Sequence, residues 1–146
     1  MTQPINESII ASAAERAFST PMPKVLSDLR EEHGKDLSDE EFSLVRDCVH
    51  AAVIAKIKDR HPDWKLFQCP MPTSPDELYV GRKCSWFEYK TTIKRHKNDS
   101  NVDEEMQINE DVIKKFLVYP RPNGDVLNDW LPGTIMAVAA MITKGL

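Results

Sequence analysis

Three residues of this 146-residue chain have types and spacing that could do chemistry: Asp76, Glu88 and Lys90. They lie within SPDELYVGRKCSWFEYK, Ser74 to Lys90, where Leu78-Tyr79-Val80 and Cys84-Ser85-Trp86-Phe87 flank Gly81-Arg82-Lys83. Aromatic and β-favouring runs on either side of a short glycine-containing loop signal a β-hairpin. A loop centred on Arg82 pairs Val80 with Cys84, Leu78 with Trp86 and Asp76 with Glu88. Alternation then places Asp76, Leu78, Val80, Cys84, Trp86, Glu88 and Lys90 on one face. Carboxylates directly opposed across a ladder repel, and a dication between them would remove the penalty. A slip of one residue would separate them. The plainer reading makes Asp76 a turn or strand-entry residue and leaves Glu88 and Lys90 as surface charges on a half-exposed hairpin.

The elements that would position these groups can be read in order. Alanines at 11, 13, 14 and 17 favour a first helix within residues 1 to 20, which Pro21 and Pro23 break. A second runs from about Lys24 to His33, with Val25, Leu26 and Leu29 together and Gly34 as its C-terminal cap. Ser38 and Glu41 form a capping box, with Leu37 and Phe42 placed for a hydrophobic staple and Asp39, Glu40 and Glu41 favoured by the helix dipole. That third helix extends to about Lys58, before His61-Pro62, with a stripe of Phe42, Val45, Val49, Val53 and Ile57 that Leu44, Cys48, Ala51, Ala52 and Ile54 widen. So broad an apolar surface implies a mostly buried helix.

Trp64 to Cys69 reads as a strand, and Pro70, Pro72 and Pro75 mark a loop before the hairpin. The second hairpin strand is expected to continue through Tyr89 to Ile93. Residues 94 to 106 read as charged, turn-like and mobile. A helix follows from near Glu110, capped by Asn109, with Val112, Ile113, Phe116 and Leu117 inward. Val118-Tyr119-Pro120 reads as a brief strand, Asn123-Gly124 as a turn, and Gly133 to Thr143 as a last, almost wholly apolar helix. The fold class is therefore α+β: a small central sheet or hairpin of about three to four strands, packed by about four to five helices. One domain is expected: an N-terminal helical region to residue 37, a core over 38–120, and a C-terminal turn and helix from 121.

Charged residues are 29% of the chain and the formal net charge is −4, the balance of a soluble globular protein rather than of a nucleic-acid coat. The charge is uneven: Gly81 to Lys97 holds Arg82, Lys83, Lys90, Lys94, Arg95 and Lys97 against Glu88 alone. Such a patch in an acidic body can face a phosphate backbone. It can equally be a hairpin edge kept soluble by lysines. The longest apolar run, Ile135 to Ile142, falls far short of the ~20 residues of a membrane span. No secretory signal is visible, and Cys48, Cys69 and Cys84 lack CxxC spacing, so reduced thiols in the cytoplasm are expected.

Pro75-Asp76, eleven residues, then Glu88-Tyr89-Lys90 resembles the PD-(D/E)xK signature of the restriction-endonuclease-like nuclease superfamily. The element order from about Ser38 to Tyr119 is similar to that family's αβββαβ core. The resemblance implies that Asp76 and Glu88 hold Mg²⁺ and that Lys90 orients or activates the attacking water. It also implies a further acid from the helix before the first strand, for which Glu41 and Asp47 are the candidates. Mg²⁺ suits such a set, since it takes one or two carboxylates plus waters and phosphate oxygens, and its bound water becomes a usable nucleophile.

Other chemistries find less support. His33, His50, His61 and His96 have no paired ligand spacing, His50 is placed to pack against Val53 and Ile54, and the five glycines make no phosphate loop. Trp64, Trp86 and Trp130 read as core anchors before they read as a binding surface. Two functions follow. One is a small metal-dependent nuclease, or a relative keeping its fold, contacting DNA or RNA through Arg82, Lys83, Lys94, Arg95 and Lys97. The other is a non-enzymatic interaction protein, an assembly subunit or inhibitor of the kind phages and mobile elements carry. Its apolar final helix would meet a second copy or another protein.

Overall fold

A computed structural model describes residues 5–69, 75–93, 102–120 and 132–144. It is a mixed α+β fold: six helices and one three-stranded antiparallel sheet among the described residues. The chain forms two compact units. One holds the three N-terminal helices and the short segment ending at Leu78; the other begins at Trp64 and resumes at Tyr79.

In the first unit, α1 (Glu7–Arg16) opens on Asn6, whose side chain accepts the Ile9 N–H at 3.0 Å, and buries Ala13 and Ala14. α2 spans Met22–His33, starting two residues before the expected Lys24. Pro21 and Pro23 bracket its first residue, where a proline removes no helical hydrogen bond and its fixed φ suits the first turn. Gly34 caps α2 by donating its N–H to the Arg30 carbonyl at 2.9 Å. α3 spans Asp39–Arg60 behind the expected capping box: Glu41 N–H to Ser38 Oγ and Ser38 N–H to Glu41 Oε1, both 3.1 Å. Phe42, Val49, Val53 and Ile57 are buried. Contrary to expectation, its other flank is open, with Leu44, Cys48 and Ala51 exposed. The helices are tied by Arg16–Asp28 at 3.0 Å, Lys56–Glu15 at 2.9 Å and Arg30–Asp39 at 2.6 Å.

In the second unit, β1 (Leu66–Cys69) pairs antiparallel with β2 (Tyr79–Arg82), Phe67 opposite Gly81 and Gln68 opposite Val80. β3 (Leu117–Tyr119) lies on the other side of β2, Val80 opposite Tyr119, so β2 is the central strand. The expected hairpin is absent. Gly81 and Arg82 are strand residues rather than a loop, and Gly81 is glycine for want of room. A Cβ there would stand 2.6 Å from Phe67 Cζ, because the Phe67 ring lies across the position.

The expected strand over Cys84 to Ile93 is also replaced, by α4 (Trp86–Ile93). Ser85 and Glu88 make a second capping box, Glu88 N–H to Ser85 Oγ at 3.1 Å and Ser85 N–H to Glu88 Oε1 at 3.2 Å. The β-branched Thr91 and Thr92 are accommodated by bonding their hydroxyls back to the Phe87 and Glu88 carbonyls, each at 2.9 Å. α5 (Val102–Phe116) begins seven residues before the expected Asn109 cap, so residues 102–106, read as turn-like, are helical, while 94–101 lie outside the described residues. Val112, Ile113, Phe116 and Leu117 are buried as expected. α6 (Pro132–Thr143) buries Ile135, Val138, Ala139 and Ile142, while Met136 stays 61% exposed. The Asn123-Gly124 turn lies outside the described residues. From Ser38 to Tyr119 the order is helix, strand, strand, helix, helix, strand, a helix standing where the resemblance places its third strand. No helix among the described residues is long and apolar enough to cross a membrane.

Candidate functional site

The cross-strand pairing expected for Asp76 and Glu88 does not form, because Glu88 is on α4 and Asp76 sits in a turn ahead of β2. Asp76 belongs to the first unit, Glu88 and Lys90 to the second. Each carboxylate faces an arginine. Asp76 Oδ1 lies 3.6 Å from Arg46 Nη1, with its side chain 58% exposed, and Arg46 Nε also has Asp47 Oδ1 at 3.7 Å. The two acids considered as a third metal ligand are in this unit as well: Asp47 beside Arg46, and Glu41 in its capping box. The Ser38 backbone and hydroxyl hold the Glu41 carboxyl below the usual carboxylate range.

Beside Asp76 is His50, one helical turn on from Arg46 and almost fully buried, as its spacing from Val53 suggested. Burial disfavours its protonated form and lowers its pKa, while a hydrogen bond to the Asp76 backbone acts the other way. Its Nε2 is buried with no hydrogen-bond partner among the described residues.

Glu88 is more heavily engaged. Beyond its cap on Ser85, Oε2 lies 3.2 Å from Arg82 Nη1. The Ser85 backbone and then the Arg82 guanidinium hold its carboxyl low, against a desolvation that pushes it up. Arg82 in turn lies over two rings, 4.7 Å from the Phe116 centroid and 5.7 Å from that of Trp64. Sequence reasoning placed Arg82 in a loop facing phosphate; it is instead a packed strut between strand, helix and ring. Lys83, by contrast, is exposed, and its N–H donates to the Lys65 carbonyl at 2.8 Å, setting two exposed lysines side by side. Lys94, Arg95 and Lys97 lie outside the described residues.

Sequence reasoning also missed the aromatic surface at the start of α4. Trp86 is 54% and Phe87 77% exposed, where a hairpin would have turned Trp86 inward. Tyr89 stacks at a tilt on Trp86 with centroids 5.8 Å apart, and Lys90 Nζ lies 5.7 Å from the Trp86 centroid. The signal was present as Ser85-x-x-Glu88, a capping box that puts Trp86 and Phe87 in a first helical turn.

Among the described residues no group of three or more His, Cys, Asp or Glu is placed to hold a metal ion. The thiols are free; burial pushes Cys69 up to about 11 and raises Cys84, so neither is a thiolate near neutrality. No protein-family model, curated protein or solved structure matches the chain.

Proposed function

We propose that this protein binds nucleic acid through the cationic surface around the start of α4. The observation that carries the reading is the Arg82–Glu88 pair. Glu88 is the one acid between Gly81 and Lys97, and it is spent on Arg82 and Ser85. No acid of that stretch is left for Lys83 and Lys90. The charge of the two units agrees: by sequence the first has fourteen acidic against eight basic residues, the second nine against eleven. The second unit is therefore the one suited to phosphate.

Mg²⁺-dependent cleavage is the stronger form of this proposal. Glu88 would help to hold the ion, which would supply an activated water, and Lys90 would orient that water. Glu88 must first exchange the Arg82 guanidinium for the cation. Titration of labelled DNA and RNA oligonucleotides at increasing salt tests binding. The expected result is an affinity that falls steeply with salt, with a shallower slope in Lys83→Glu and Lys90→Ala. No binding at low salt would sink the proposal. Cutting with Mg²⁺ or Mn²⁺ that Lys90→Ala abolishes would support cleavage; binding without cutting under either metal would leave a binding protein only.

A second reading, association with another copy or a partner protein, is favoured by Met136, a large apolar side chain exposed on an otherwise apolar α6. Sedimentation velocity of wild type against Met136→Glu tests it: a concentration-dependent dimer lost in the variant is the expected result, and a monomer in both refutes self-association.

A further inference from the structure

We infer that the strand this surface takes is a single one, its bases stacked on Trp86 and Phe87. This rests on the nucleic-acid reading above and adds what kind of nucleic acid. Two large aromatic side chains more than half exposed at adjacent positions are costly to leave in water. Adjacent helical residues project about 100° apart, so the two rings serve separate bases rather than clasping one. Trp86 is braced by Tyr89 and Lys90, which lowers the ordering needed when a base settles on it. Exposed Lys90 lies over Trp86, exposed Lys83, bonded beside Lys65, stands three residues before it in sequence, and Glu88, next to Phe87 in sequence, is turned to Arg82. Aromatic faces within a cationic surround are the recurrent arrangement for single strands, since every unpaired base offers a π-face. In a duplex those faces are covered, and only the lysines have anything to hold.

The test measures anisotropy of labelled oligo-dT, oligo-U and a duplex of equal length with wild type, Phe87→Ala, Trp86→Ala, Phe87→Tyr and Lys83→Glu. Both rings are exposed, and circular dichroism checks that the variants stay folded. Single strands should bind more tightly than the duplex, and each alanine should weaken them by roughly tenfold. Duplex binding should not respond to the alanines, and Phe87→Tyr should keep its affinity. Lys83→Glu should weaken all three probes. Both single strands should lose affinity in the alanines, since thymine and uracil each offer a π-face. If Lys83→Glu weakens binding while the alanines do not, stacking is overturned and the backbone reading stands. If no probe binds wild type, both fall, and the aromatic pair is left to a protein partner.

Discussion

Ser38-Asp39-Glu40-Glu41 and Ser85-Trp86-Phe87-Glu88 are the same capping device built twice, with bonds of 3.1 to 3.2 Å in each. Both stand near an arginine laid on a phenylalanine, Arg30 over Phe42 and Arg82 over Phe116. They differ in what the glutamate does next. Glu41 stops at the cap, and Arg30 pairs instead with the exposed Asp39. Glu88 carries on to Arg82, so one carboxylate both starts α4 and anchors it to the central strand. The first box opens a 22-residue helix with an apolar stripe of its own; the second opens one of 8 residues that relies on its neighbours. A shared local motif thus acts locally in one place and as tertiary structure in the other.

Substitutions can break that contrast. Arg82→Ala removes a guanidinium held by a carboxylate and two rings, and should cost about 3 kcal/mol; Arg30→Ala, at a more exposed pair, should cost under about 1 kcal/mol. Denaturant titration reads both, and equal losses would erase the distinction. Glu88→Gln keeps the shape of the cap but drops the charge facing Arg82, and should lower stability by about 1–2 kcal/mol. Glu41→Gln should move the midpoint visibly less. Ser38→Ala and Ser85→Ala should be alike at about 1 kcal/mol each, since here only the cap is lost.

Acid titration gives the smallest effect and separates the regions by pH. The folded-state pKa values of Glu41 and Glu88 lie below 4.5, so the stability they confer is complete above that value and drains as pH falls through the folded values. His50 is also lowered, from 6.5, but it is a base. The unfolded chain takes up its proton first, so stability declines as pH drops below 6.5. Arg46, Asp47 and Asp76 are the charges facing it, the arginine deepening the shift and the two acids easing it. Melting temperatures should fall between about pH 7 and pH 5, and His50→Gln should flatten that part of the profile alone. A decline unchanged by the substitution would remove His50 from the account.

The contrast also explains which parts of the fold were legible. The capping box of α3 was readable because its stripe, its acidic first turn and its flanking sequence all agreed. At α4 the same box was outvoted by Trp86, Phe87, Tyr89, Thr91, Thr92 and Ile93, all strand-favouring types, and by a glycine that looked like a turn. Reading α4 as a strand carried Glu88 and Lys90 with it, so the expected carboxylate pair failed together with the element meant to present it. The basic stretch needed no secondary structure to be seen. The two exposed rings did, because exposure depends on which side of an element a residue occupies.

Gly81 has a consequence for the history of the chain. The tip of the Phe67 ring stands where the first carbon of a side chain at 81 would go. The two positions are therefore coupled: a relative with a residue larger than glycine at 81 needs the tip of the ring at 67 to swing aside, or a smaller residue there. Across an evolutionary lineage they should tend to change as a pair.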